Sequence, residues 1–138
     1  MKKLTVIILT ILLFPIGIKA QNVFGLNHKE VSDELKKNGF NFVKHLQLTS
    51  DLSFDQYSIQ EDGKYNLICY FNKKEICFEF KEIIPATNVF STIQSLNNKY
   101  IRVDDMHWIN KNGSVKVTYA PPTDGTFYVA FTALDIPE

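Results

Sequence analysis

Apolar residues recur first at helical and then at strand spacing. Val31 and Leu35 stand four residues apart behind Asn27-His28-Lys29-Glu30. That tetrapeptide reads as a capping box: the Asn27 side chain accepts from the first turn, and Glu30 reaches back to the Asn27 N–H. Leu26 and Val31 occupy the positions of a hydrophobic staple, and Asn38-Gly39 supplies the stop. A helix is predicted over residues 28–37, its outer face carrying Lys29, Asp33, Lys36 and Lys37. Strand alternation follows. Phe42, Lys44, Leu46 and Leu48 lie at even spacing, and Phe54 and Tyr57-Ser58-Ile59 come after a polar turn. Tyr65–Phe71 and Ile76–Ile84 read as a hairpin, with Ile76, Phe78 and Phe80 on one side and Cys77, Glu79 and Lys81 on the other.

Pro85 ends that run. Thr87 is placed to cap a second helix with Phe90, Ile93, Leu96 and Tyr100 on one side. Strands are predicted at about 106–110, 114–120 and 126–134, joined by turns at Asn112-Gly113 and Asp124-Gly125. The expected order is α-β-β-β-α-β-β-β, an α+β fold with two helices on one face of an antiparallel sheet. A weak echo pairs Tyr57 with Trp108, Gly63 with Gly113 and Tyr70 with Tyr119. It divides the body into helix-hairpin halves over 25–84 and 87–136 without establishing a duplication.

The start of the chain has a different character. Met1-Lys2-Lys3 precedes a fifteen-residue apolar run, Leu4 to Ile18, and Ala20 stands before Gln21. This is the layout of a secretory signal peptide, expected to be cleaved after Ala20. The run is short for a membrane span and carries Pro15 and Gly17, so no transmembrane segment is expected in the mature chain. Residues 21–138 then form one exported domain, periplasmic or extracellular. Loss of Lys2, Lys3 and Lys19 leaves 12 basic against 15 acidic residues, a net charge of −3. With no basic excess, nucleic acid is not an expected partner. The ordinary composition, 45% hydrophobic and 22% charged, excludes a disordered or low-complexity chain.

Gly25-Leu26-Asn27-His28-Lys29-Glu30-Val31, followed by Leu35 and Gly39, resembles the first-helix signature of small exported helix-plus-hairpin domains. It is similar to the Gly-Leu/Met-Thr/Asn-x-x-Glu/Gln-Val start of the SmpA-type outer-membrane assembly lipoproteins. There an aromatic strand and a hairpin like Tyr65–Phe80 follow, so the resemblance covers residues 25–80. The chain departs from those lipoproteins in lacking the lipidated cysteine and in adding a second helix and hairpin. The mature chain as a whole resembles small uncharacterised exported proteins of Gram-negative bacteria. The resemblance implies a two-layer fold and a non-catalytic binding or scaffold role, toward a protein or envelope ligand.

Candidate chemistry is sparse. Cys69 and Cys77 are the only cysteines. If the loop is Asn72-Lys73-Lys74, they face one another and a cross-strand disulfide could form; if Phe71 pairs with Ile76, Cys77 points outward and no bond is possible. Of His28, His45 and His107, the first reads as exposed in the opening helical turn. Asp104-Asp105-Met106-His107 is the densest ligand-like cluster, but its spacing prescribes no three converging ligands. A hydrolase using Asp104, Asp105 and His107 therefore ranks below the binding readings. Asp51 and Asp55, placed in a loop, and Glu79 and Glu82 read as surface charges. No nucleophile elbow or phosphate-cradling glycine loop occurs. No catalytic residue, metal ligand or cofactor is assigned, and the chain is read as a non-enzyme. Aromatics remain: Tyr70, Trp108 and Tyr128 are expected to line an open sheet face as a binding patch. An inhibitor or small-ligand carrier, using a loop at Ala120–Gly125, is the alternative.

Overall fold

The computed structural model describes residues 21–59 and 66–136; the leader expected at 1–20 and the Glu61-Asp62-Gly63 turn lie outside them. Helix α1 spans His28–Lys37. Its capping box closes as the sequence predicts: the Glu30 N–H donates to Asn27 Oδ1 at 2.9 Å, and the Asn27 N–H donates to Glu30 Oε1 at 3.2 Å. Gly39 ends it at φ +86°, a conformation that suits a residue without Cβ.

Four strands follow: β1 (Phe40–Thr49), β2 (Leu52–Ile59), β3 (Asn66–Phe71) and β4 (Cys77–Pro85). Then come α2 (Val89–Lys99) and four more: β5 (Ile101–Asp104), β6 (His107–Ile109), β7 (Val115–Thr123) and β8 (Thr126–Ala133). Each helix thus precedes four strands rather than three. Phe40–Thr49 and Leu52–Ile59 are separate strands, and the short β5 escapes prediction because its alternation, Ile101-Arg102-Val103-Asp104, lasts only four residues and follows directly on the helix. The chain is an α+β fold whose eight antiparallel strands form one sheet, ordered β1-β2-β3-β4-β8-β7-β6-β5. That order reads the same from both rims, with the β4–β8 pair at the centre.

The register fixes the two faces. Asp55 opposes Cys69, which opposes Phe80, which opposes Phe131, which opposes Val117, which opposes Trp108. Val31 and Leu35 of α1 and Leu96 of α2 join the apolar residues of this face in one core cluster. The rings of Phe80 and Phe131 stack at 4.7 Å across the central strand pair. Helix α2 begins at Val89, after a tight turn at Ala86–Asn88, so Thr87 does not cap it. Its inward stripe is Val89, Ile93, Leu96 and Tyr100, while Phe90 is 80% exposed. Three members of the expected stripe hold, and only Phe90 gives way, to Val89.

Two bulges reset the expected alternation. Phe42 opposes Tyr57 but Lys44 opposes Gln56, leaving Val43 as the extra residue of β1. Beyond it His45, not Lys44, shares the core face. In the β3–β4 hairpin Phe71 opposes Cys77 and Tyr70 opposes Glu79, leaving Phe78 extra. Cys77 and Phe80 are therefore both buried, and neither sequence register for the cysteines holds. Both cysteines are free thiols packed in the core. A hydrogen bond with Cys77, together with burial, pushes the Cys69 thiol well above its ordinary pKa.

Glu82 also faces the core, between Leu67 and Val129, rather than solvent. Burial raises its carboxyl to about 7, against the opposing pull of the Lys99 ammonium. Burial in turn lowers Lys99, with Glu82 acting against that shift.

Candidate functional site

Three residues that no sequence motif connects meet where α1 rests on the β1 end of the sheet. Asp55, on β2, is 3% exposed. Its Oδ2 lies 2.7 Å from His28 Nδ1, and its Oδ1 lies 2.6 Å from His45 Nδ1. A carboxylate only accepts hydrogen bonds, so each imidazole donates through Nδ1. The two rings stand nearly perpendicular, at 76°, with centroids 5.2 Å apart.

Each group is placed by a separate local cause. The capping box starts α1 at His28 and turns that residue toward the sheet. The Phe71 ring stacks under His28 at 3.7 Å and fixes its plane. The β1 bulge brings His45 opposite Asp55. One ligand atom from each of the three residues lies within 4.8 Å of the others. A cleft of about 410 Å³ opens beside them, lined also by Ser32, Tyr57 and Glu75. Burial first, and the nearby Cys69 and Asp55 charges next, push the Tyr57 phenol above its ordinary range. Its hydroxyl therefore stays neutral beside the cluster.

This cluster corrects two sequence readings. His28 is half-buried and bonded rather than simply exposed, and Asp55 is a core-facing strand residue rather than a loop charge. The ten-residue separation of His45 and Asp55 could have prompted a hairpin test, but even alternation puts Lys44 opposite Asp55. Only the bulge puts His45 there.

The other sequence candidates are partly dispersed. Asp104 accepts from His107 Nδ1 at 2.8 Å, whereas Asp105 projects into solvent, so the three do not converge. The Met106 N–H and then His107 hold the Asp104 carboxyl below its ordinary range. Trp108 is 0% exposed and sits on the core face, where its indole N–H donates to Asn97 Oδ1 at 2.9 Å. It therefore cannot line an open-face patch.

Tyr70 and Tyr128 do share the opposite face. Leu46, Phe54 and Tyr70 run in register across β1, β2 and β3, and the Phe54 and Tyr70 rings lie 5.8 Å apart. The Lys81 ammonium sits 5.0 Å from the Tyr70 ring and 4.9 Å from the Tyr128 ring. Tyr128 is 39% exposed. The stretch expected as a loop at Ala120–Gly125 is strand as far as Thr123, with an irregular pairing between Ala120 and Thr123 that takes in Pro121 and Pro122. Among the described residues, no helix is long and apolar enough to cross a membrane. Comparison of the chain with family models, with curated proteins and with solved structures found no match.

Proposed function

We propose that this chain is an exported, non-catalytic binding module whose uncovered sheet face meets a protein partner. The observation that carries the reading is the Tyr70–Lys81–Tyr128 cluster, with the Leu46–Phe54 row beside it. Both helices place their buried side chains on the other face. Tyrosine offers rigid contact area with a polar tip, a combination enriched at protein interfaces. Among the described residues no carboxylate lies within ion-pair distance of Lys81, whose ammonium is held by the two rings. The fitting partner surface therefore presents carboxylates beside apolar side chains. The resemblance of residues 25–80 to SmpA-type domains agrees with a binding or scaffold role.

A second reading is an inhibitor that inserts the β7–β8 tip. The run from Pro121 to Thr126 is exposed, and two prolines stiffen it before insertion. One experiment separates the two. A photo-reactive side chain is placed at position 70, 128, 122 or 36 of the full chain and irradiated in the producing cells. The sheet-face reading expects one common adduct from 70 and 128, none from 36, and its loss with Lys81→Glu. An adduct from 122 alone moves the assignment to the inhibitor, and no adduct at any position overturns both.

A further inference from the structure

We propose that His28, His45 and Asp55 bind a single divalent first-row transition metal ion. These residues lie on the core side of the sheet, across from the face that carries Tyr70, Lys81 and Tyr128.

The donors converge from three elements: the first turn of α1, the bulged edge strand β1 and the neighbouring strand β2. Their ligating atoms already lie within 4.8 Å of one another, and the two imidazole-to-carboxylate separations are 2.7 and 2.6 Å. Metal bonds of about 2.1 Å require ligand atoms roughly 3 to 3.5 Å apart. The side chains therefore part by less than an ångström on the carboxylate side to admit an ion.

The donor chemistry selects the class of ion. Two imidazole nitrogens and one carboxylate oxygen suit zinc, iron, cobalt or nickel. Calcium and magnesium prefer six or more oxygens, which the cluster does not supply. On binding, each Nδ1 exchanges its hydrogen bond to Asp55 for a bond to the ion. The ring hydrogen moves to Nε2, so each imidazole stays neutral.

Burial gives the site a reason to take a cation. Asp55 faces the core, and its ion-pair partners are the two histidines. A buried carboxylate needs a compensating charge, and these two histidines supply one only while an imidazole is protonated. A divalent ion would supply the full charge. The cleft beside the cluster leaves room for water at the remaining coordination positions. The stacking of His28 on Phe71 and the bulge before His45 restrict both rings in advance, so little side-chain order is lost on binding.

The test is calorimetric titration of the full chain with zinc, cobalt(II), magnesium and calcium, each as the metal alone. The expected result is one zinc or cobalt ion per chain, no heat with magnesium or calcium, and a visible cobalt spectrum of nitrogen and oxygen ligation. His45→Ala lies on the edge strand and should keep the fold, while lowering zinc affinity on the order of 100-fold or more. His107→Ala should leave binding unchanged. The melting temperature gives a second readout: zinc should raise it for the parent chain and for His107→Ala, but not for His45→Ala. Absence of stoichiometric zinc binding, equal affinity in His45→Ala, or loss of binding in His107→Ala overturns the proposal.

Discussion

His45 meets Asp55, at 2.6 Å, because β1 spends one residue more than β2 between Phe42 and Lys44. Without Val43 as the extra residue, the same two strands would set Lys44 against Asp55 and turn His45 to the open face. The bulge thus decides which side chain reaches the buried carboxylate, a recurrent use of bulges on edge strands.

Deleting Val43 should therefore remove the bulge and leave the pairs on either side of it intact, Phe42 with Tyr57, Lys44 with Gln56 and His45 with Asp55. The expected outcome is a folded chain, judged by circular dichroism, whose His45 imidazole resonances and zinc affinity stay close to those of the parent. A loss of zinc affinity as large as in His45→Ala, on the order of 100-fold, would mean that the shortened strand pairs in another register.

Glu82 predicts a pH dependence. Its folded-state pKa is raised to about 7 by burial, above the usual carboxylate range. The folded state then holds a proton that the unfolded chain has already lost, so this contribution is complete below about pH 4.5. It falls as pH rises toward 7, by up to about 3 kcal/mol in all. Glu82→Gln should remove most of that slope. Urea midpoints between pH 4 and 8 check it, with the parent and the variant diverging at the alkaline end.

Trp108 is the only tryptophan of the chain, so its fluorescence reports on the β5–β8 half of the sheet. Asn97→Ala removes the acceptor of its buried indole N–H. The expected cost is about 1 to 3 kcal/mol, read from urea denaturation followed at the tryptophan emission. Asn97→Asp, which restores an acceptor oxygen, should recover part of it.

The α1 cap gives a local check. Asn27→Ala removes the acceptor for the Glu30 N–H and should cost about 1 kcal/mol. Because His28 is the first residue of this helix, fraying there should also loosen the His28–Asp55 contact. Faster exchange of the His28 side-chain hydrogen in the variant would show that coupling.

Some of this architecture is legible in the residues themselves. The α1 boundaries follow from local hydrogen-bonding chemistry carried by Asn27, Glu30 and Gly39, and the antiparallel sheet follows from alternation and turn residues. The candidate site is not legible, because it depends on interruptions of that alternation. Nothing in Phe42-Val43-Lys44-His45 marks Val43 as surplus, and nothing in Cys77-Phe78 marks Phe78. Such bulges are settled by what the partner strand and the covering helix can bury. Phe90 misleads for a related reason: it fits a helical stripe, but Val89 starts a stripe that also fits and reaches the sheet. Trp108 invites a surface role until Asn97, from the helix above, satisfies its single donor.

The placement of β8 bears on how the molecule is assembled. The eighth strand in chain order pairs with β4 on one side and β7 on the other, so it enters as the keel of the sheet and not as its outermost plank. Until it arrives, the emerging chain must carry two half-sheets, each with a raw inner border. A chain shortened by the final dozen residues would fall into two pieces held by the linker between them.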